Sequence, residues 1–198
     1  MRKEFLFSGS GGQGVITASI ILAEAALHDG LVATQTQAYG PEARGGSARA
    51  EAVISDEPIH YNKVNHPNIL LAMSQEAVDK YFKLLAEDQI FVTDSLFVRD
   101  VPAYKGKTYQ LPITHTAKEV LGKSLFANIV ALGALVGITK IVSKEAIVKA
   151  VLAKVPKGTE ALNEKALELG MELAEKAMAV SESNSLKNYT DTLNNHTP

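Results

Sequence analysis

The sequence contains no cysteine. That excludes disulfides, thiolate metal ligands, cysteine-held iron–sulfur clusters and a cysteine nucleophile within this chain. A dominant charge is missing too: 20 Lys and Arg stand against 22 Asp and Glu, a formal net charge of −2. Such a balance argues for no nucleic-acid surface. There is no long apolar run. The most apolar stretch, 125–138, is too short to span a bilayer and contains Asn128. Met1-Arg2-Lys3-Glu4 begins neither an apolar core nor a cleavage site of the signal-peptide kind, so a soluble, cytoplasmic protein is expected. His28, His60, His66, His115 and His196 are scattered without ligand spacing, so no metal site is expected. No internal repeat is found.

What remains is an ordinary globular composition over 198 residues, enough for one domain with a sizeable core. Its most telling stretch is Gly9-Ser10-Gly11-Gly12-Gln13-Gly14. Phe5-Leu6-Phe7 before it reads as a buried strand. After it, Ile16, Ile20, Ala23 and Leu27 recur at helical spacing. The glycines therefore sit at a strand-to-helix turn, where a helix N-terminus favours an anion. A second glycine-rich stretch follows the next strand: Tyr39-Gly40-Pro41-Glu42-Ala43-Arg44-Gly45-Gly46.

Further along, Gly30 stops the first helix, 31–37 reads as a strand, and 47–54 as a strand whose Ala48, Ala50, Ala52 and Ile54 share an apolar face. Short buried strands are expected at 69–73 and 90–92, and a weaker one at 107–111. Ser74 caps the helix between the first two, which buries Ala77, Val78, Tyr81, Phe82 and Leu85. The rest is helical. Thr116-Ala117-Lys118-Glu119 has capping-box spacing, 125–138 is a nearly all-apolar helix, and Ser143 caps the next. Gly133 and Gly137 admit a close neighbour. A last amphipathic helix, 159–179, puts Leu162, Ala166, Leu169, Leu173 and Ala177 on one face. The order predicts an α/β fold: a Rossmann-like mixed sheet flanked by helices, with a helical C-terminal part. Residues 1–180 form the domain, and the Ser/Asn/Thr-rich 181–198 reads as a flexible polar tail.

Gly9, Gly11 and Gly14 satisfy the letters G-x-G-x-x-G. A dinucleotide site also needs an acidic residue near the end of the second strand to hold the ribose. Gln35, Thr36 and Gln37 stand there instead. Three readings follow: a private nucleotide site, a tight turn for close packing only, or an anion pocket shared with a partner. The second loop reads as a solvated turn with a Glu42–Arg44 ion pair, or as a fixed arginine for a phosphate, carboxylate or protein surface. Asp94-Ser95 lies at a strand end where α/β ligand sites gather, yet with no histidine assigned to it a capping role is preferred.

Taken together, Gly11-Gly12-Gln13-Gly14-Val15, the Tyr39 to Gly46 loop and Val53-Ile54-Ser55-Asp56-Glu57-Pro58-Ile59 resemble the gamma subunit of 2-oxoacid:acceptor oxidoreductases, and most closely the 2-oxoglutarate:ferredoxin or flavodoxin type. The resemblance covers about the first 180 residues. It implies a complex that oxidatively decarboxylates a 2-oxoacid on thiamine diphosphate with Mg2+. That complex passes the acyl group to coenzyme A and sends electrons through iron–sulfur clusters to ferredoxin or flavodoxin. Thiamine diphosphate and the clusters belong to alpha, beta and delta subunits; the gamma subunit holds no cofactor alone and carries no catalytic residue. Gly9, Ser10, Gly11, Gly12, Gln13 and Gly14, with Tyr39, Gly40, Pro41, Glu42, Arg44, Gly45 and Gly46, would then face those subunits near the coenzyme A path. Pyruvate, 2-oxoisovalerate and indolepyruvate oxidoreductases have related subunits. A stand-alone nucleotide-binding oxidoreductase, or an assembly module whose loops touch only protein, are the alternatives.

Overall fold

The computed structural model of the chain describes residues 1–38 and 47–194. The second glycine-rich loop, with Tyr39, Gly40, Pro41, Glu42, Arg44, Gly45 and Gly46, lies outside the described residues.

Six strands form one mixed sheet. In chain order they are β1 (Arg2–Ser10), β2 (Val32–Ala38), β3 (Ser47–Ser55), β4 (Ile69–Ala72), β5 (Ile90–Asp94) and β6 (Lys107–Leu111). In space the order is β2-β3-β1-β4-β5-β6. β1, β4, β5 and β6 run parallel, and β3 is antiparallel to both β1 and β2. The mixed sheet is as expected, and β6 has the predicted bounds.

The helices are α1 (Val15–His28), α2 (Gln75–Tyr81), α3 (Ile113–Leu121), α4 (Ala127–Thr139), α5 (Lys144–Lys154) and α6 (Glu160–Asn194). They are divided unequally between the two faces of the sheet. Phe5, Phe7, Ile69, Leu71 and Val92 point into a large core closed by α1 and α3 to α6. Leu6, Leu70 and Phe91 point the other way, into a small core closed by α2 and the coil carrying Val98 and Tyr104. Apolar residues on both faces explain why β1 and β4 read as unbroken apolar runs rather than alternating ones.

Caps follow the local sequence where the partner is local. The Ser74 and Ser143 hydroxyls accept the N–H groups of Ala77 (3.2 Å) and Ala146 (3.1 Å). Several expectations need correction. In α1 the buried residues are Val15, Ala18, Ser19, Ile21, Leu22, Ala25 and Ala26 with Ala23, whereas Leu27 is exposed and Ile16 and Ile20 only half-buried. The helix is apolar nearly all round, so spacing alone could not choose the face. Thr116 is no cap: α3 starts at Ile113, and the Thr116 N–H already donates to the Pro112 carbonyl (2.9 Å). Leu125 stands before α4, in a short 3-10 turn, and is 73% exposed.

α4 and α6 form the tightest contact. A Cβ at Gly133 would sit 2.1 Å from the Leu167 carbonyl oxygen, and one at Gly170 would sit 2.0 Å from that of Val130. Gly137 faces Ala174 in the same seam. The close approach expected at Gly133 and Gly137 is present. It also turns α6: Asn163, Ala166, Leu167, Gly170 and Ala174 face inward, while Leu162 is exposed and Leu169 half-buried. The backbone of α6 stays helical past Ser181, to Asn194.

Candidate functional site

β1, β4, β5 and β6 end along one rim of the sheet, and the first glycine-rich loop leaves from it. The Gln13 N–H donates to the Ser10 carbonyl (3.2 Å), which closes the turn. The Gln13 side chain then works in both directions. Its Oε1 accepts the Ser10 N–H (2.6 Å), and its Nε2 donates to the Met73 carbonyl (2.9 Å) just beyond β4. One side chain thus holds the loop in shape and ties it to the neighbouring strand end.

The glycines of this loop have separate reasons to be glycine. A Cβ on Gly9 would meet Gln13 Oε1 at 2.5 Å and Met73 Cβ at 2.9 Å. Gly14 caps α1 in a left-handed conformation, φ 70°, and a Cβ there would lie 2.7 Å from the Asn128 amide of α4. Gly12 also has positive φ, 89°, but nothing stands within 4 Å of the position its Cβ would take. Gly11 and Gly12 are exposed. The inner glycines serve packing, and the outer ones leave bare backbone at the N-terminal end of α1, an arrangement suited to an anion.

Among the described residues, no uncommitted carboxylate stands at the end of β2 to hold a ribose. Gln35 Nε2 donates to the Ser19 hydroxyl (3.1 Å) and to the Thr36 carbonyl (3.2 Å). Thr36 donates to Glu51 Oε2 (3.3 Å). Glu51 is the residue that sequence reasoning passed over, a carboxylate delivered to the end of β2 from its neighbour β3. It is committed elsewhere, since it also accepts from Arg49 (2.5 Å) and from the Val64 N–H (3.0 Å). Arg49 lies 5.1 Å above the Tyr81 ring. The alternation Arg49-Ala50-Glu51 was the available signal: polar residues on the strand face turned away from the large core.

Asp94 is a cap supplied from a distance. It is fully buried, and its carboxylate accepts the N–H groups of Leu96 and Thr114, each at 3.2 Å. It therefore joins the turn after β5 to the N-terminus of α3. Burial raises its pKa above the ordinary carboxylate value, while the hydrogen bonds from Thr114 and Leu96 pull the other way. Ser95 beside it is exposed. Among the described residues no group of three His, Asp or Glu stands close enough to hold a metal. No helix among them is long and apolar enough to cross a membrane.

Fold and site define a Rossmann-like α/β domain whose glycine loop leaves bare backbone at a helix N-terminus and which, among the described residues, shows no free ribose carboxylate at the end of β2. The chain belongs to the pyruvate ferredoxin/flavodoxin oxidoreductase family, whose model matches residues 4–173. It is 49% identical over 177 residues to the 2-oxoglutarate synthase subunit KorC of Methanocaldococcus jannaschii, covering 88% of this chain and 95% of that one. It is 33% identical over 156 residues to the pyruvate synthase subunit PorC of Methanothermobacter marburgensis, covering 77% and 86%. Among solved structures it is similar to the gamma subunit of a keto/oxoacid ferredoxin oxidoreductase from Geobacter sulfurreducens. There the TM-score is 0.83 at 46% identity, over 89% of this chain and 98% of that one. The same fold occurs in the 2-oxoglutarate:ferredoxin oxidoreductase of Magnetococcus marinus, with a TM-score of 0.80 at 24% identity. The match covers 88% of this chain and 31% of that longer one.

Proposed function

We propose that this chain is the gamma subunit of a 2-oxoglutarate:ferredoxin or flavodoxin oxidoreductase. The complex converts 2-oxoglutarate and coenzyme A to succinyl-CoA and CO2. The observation that carries the reading is the 49% identity to a 2-oxoglutarate synthase subunit along nearly its whole length, against 33% to a pyruvate synthase subunit.

The subunit is non-catalytic. Iron–sulfur clusters do not fit it, because the sequence has no cysteine. The described residues do not group His, Asp or Glu for a metal. Thiamine diphosphate with Mg2+ is assigned to the alpha and beta partners, and the clusters to beta and delta. Coenzyme A is different. It supplies the thiol that accepts the acyl group, and its phosphates are anions. The exposed Gly11 and Gly12 backbone, with open space at Gly12, suits such an anion at the head of α1. Arg44, outside the described residues, is the proposed charge-assisted contact to a coenzyme A phosphate or a partner carboxylate, with Glu42 as its orienting neighbour.

The test is to purify the tagged chain from its native lysate and measure 2-oxoglutarate-dependent viologen reduction with added coenzyme A. Capture of thiamine- and cluster-bearing chains with that activity is expected. A lone protein that binds NAD or FAD and captures no such chains overturns the reading. Arg44→Ala is expected to impair assembly or raise the KM for coenzyme A; unchanged assembly and kinetics would remove Arg44 from the site.

A further inference from the structure

β6 is an edge of the sheet. It pairs with β5, and among the described residues no strand lies on its other side. Its main-chain groups can be sorted by direction. The Lys107 N–H donates to Gln89 (2.9 Å), and the Leu111 carbonyl accepts from Ser95 (2.8 Å), both on the β5 side. Directions alternate along a strand, so Tyr109 also turns its main-chain groups toward β5, while Thr108 and Gln110 turn theirs outward. Two N–H and two C=O groups therefore line an open edge. Edges are usually blunted by proline, a bulge or charge. Here Lys107 at the start and Pro112 just past the end flank the edge, while Thr108, Tyr109, Gln110 and Leu111 between them are neither charged nor proline.

The edge is also one wall of a groove of about 490 Å3, whose other wall is α6. That wall is mostly apolar, from Leu173, Ala177 and Val180, and Val180 is 61% exposed. The charge is of one sign. Lys176 is the charged residue lining the groove, and Lys107 starts the edge strand. Lys176 meets Glu172 only at 3.9 Å, as an exposed i,i+4 pair that is easily given up.

We propose that this groove docks an extended, carboxylate-bearing segment of another subunit, which joins the sheet as a seventh strand beside β6. Open main-chain groups call for a strand. The apolar wall takes its alternate side chains, and the lysines take its acid. A second copy of this chain would bring the same lysines to the edge, so a different chain is the occupant. The inference rests on the proposed place of this chain in a complex.

The experiment uses the co-expressed complex and two variants. Gln110→Pro removes one outward N–H and no ladder bond, and its φ suits an edge strand. Gln110→Ala keeps that N–H and loses only the side-chain bond to the Val98 carbonyl. Expected are slower amide exchange at Thr108 and Gln110 in the complex than in the isolated chain, and assembly weakened about tenfold by Gln110→Pro but near wild type for Gln110→Ala. Lys176→Glu is expected to weaken it too. Equal exchange in both states, or unimpaired assembly of Gln110→Pro, overturns the inference while leaving the functional reading intact. Protection of these amides in a dimer of the isolated chain makes the occupant a second copy and overturns it as well. If the wild type captures no partner chain, the functional reading fails and the docking inference falls with it.

Discussion

Glycine does two different jobs in this molecule. In the α4–α6 seam, Gly133 and Gly170 let two helix backbones touch, and the place a Cβ would take on each is filled by main chain. In the loop after β1, Gly11 and Gly12 are exposed, and a Cβ on Gly12 would meet nothing. The seam glycines are about stability. In the outer loop a positive φ already favours glycine at Gly12, and the surface left bare there is where the proposed anion or partner would come.

The comparison predicts a split between stability and assembly. Gly170→Ala puts a methyl group 2.0 Å from the Val130 oxygen, so α4 and α6 must separate. The loss should be about 3 kcal/mol, read as a lower urea midpoint. A midpoint like wild type would show that the helices slide apart freely. Asp94→Ala should cost about 2 kcal/mol, because the Leu96 and Thr114 N–H groups lose their buried acceptor.

Asp94→Asn tests the same residue by pH. The folded-state pKa is raised above 3.8, so the native state binds more protons than the unfolded chain between 3.8 and that raised value. The stability this group contributes is therefore full below pH 3.8 and lost as pH rises through the folded pKa. Asn does not titrate, so the melting temperature of Asp94→Asn should gain on wild type between pH 4 and pH 7. A constant difference across that range would mean that burial does not perturb Asp94.

Gln13→Ala leaves the Ser10 N–H and the Met73 carbonyl without their partner and should cost about 1–2 kcal/mol. In the complex it should also raise the KM for coenzyme A more than it lowers kcat. Gly12→Ala should cost only about 1 kcal/mol, from positive φ alone. Yet it should impair assembly or coenzyme A use more than Gly170→Ala does at a temperature where both are folded. The reverse order would mean that the outer glycines serve only the turn. The smallest effect belongs to the tail: removal of residues 182–198 should leave the urea midpoint of the domain unchanged, while a shifted midpoint would show that the tail packs on it.

How much was legible depended on how far away the partner was. The strand-to-helix turn, β6, and the Ser74 and Ser143 caps were readable, because each is decided by residues within a few positions. The start of α3 was not, since its N-terminus is held by Asp94, twenty positions earlier in the chain. The buried face of α1 was hidden by excess: with apolar residues nearly all round, several stripes fit the helical period. Leu162 looked inward by period and is exposed, because the α4–α6 contact selects small residues over large ones. In the site, the absent ribose carboxylate was visible as Gln35-Thr36-Gln37. That Glu51 reaches the same neighbourhood was not visible, because β3 brings it beside Thr36 of β2; its pairing with Arg49, two positions away on β3, was signalled only by their alternation.

The sequence by itself determined the local matters: a glycine turn between a buried strand and a helix, no cysteine for a cluster, an α/β order, and motifs specific enough to point to the family. Only the tertiary structure decided which glycines pack and which lie bare. It also decided that Gln13 ties the loop to β4, that Asp94 caps a distant helix, and that β6 leaves an open edge beside α6. The physical reason is range. Turns, caps and periodicity arise from backbone geometry within a few residues, whereas close approach, burial and an unpaired edge exist only once distant segments have met.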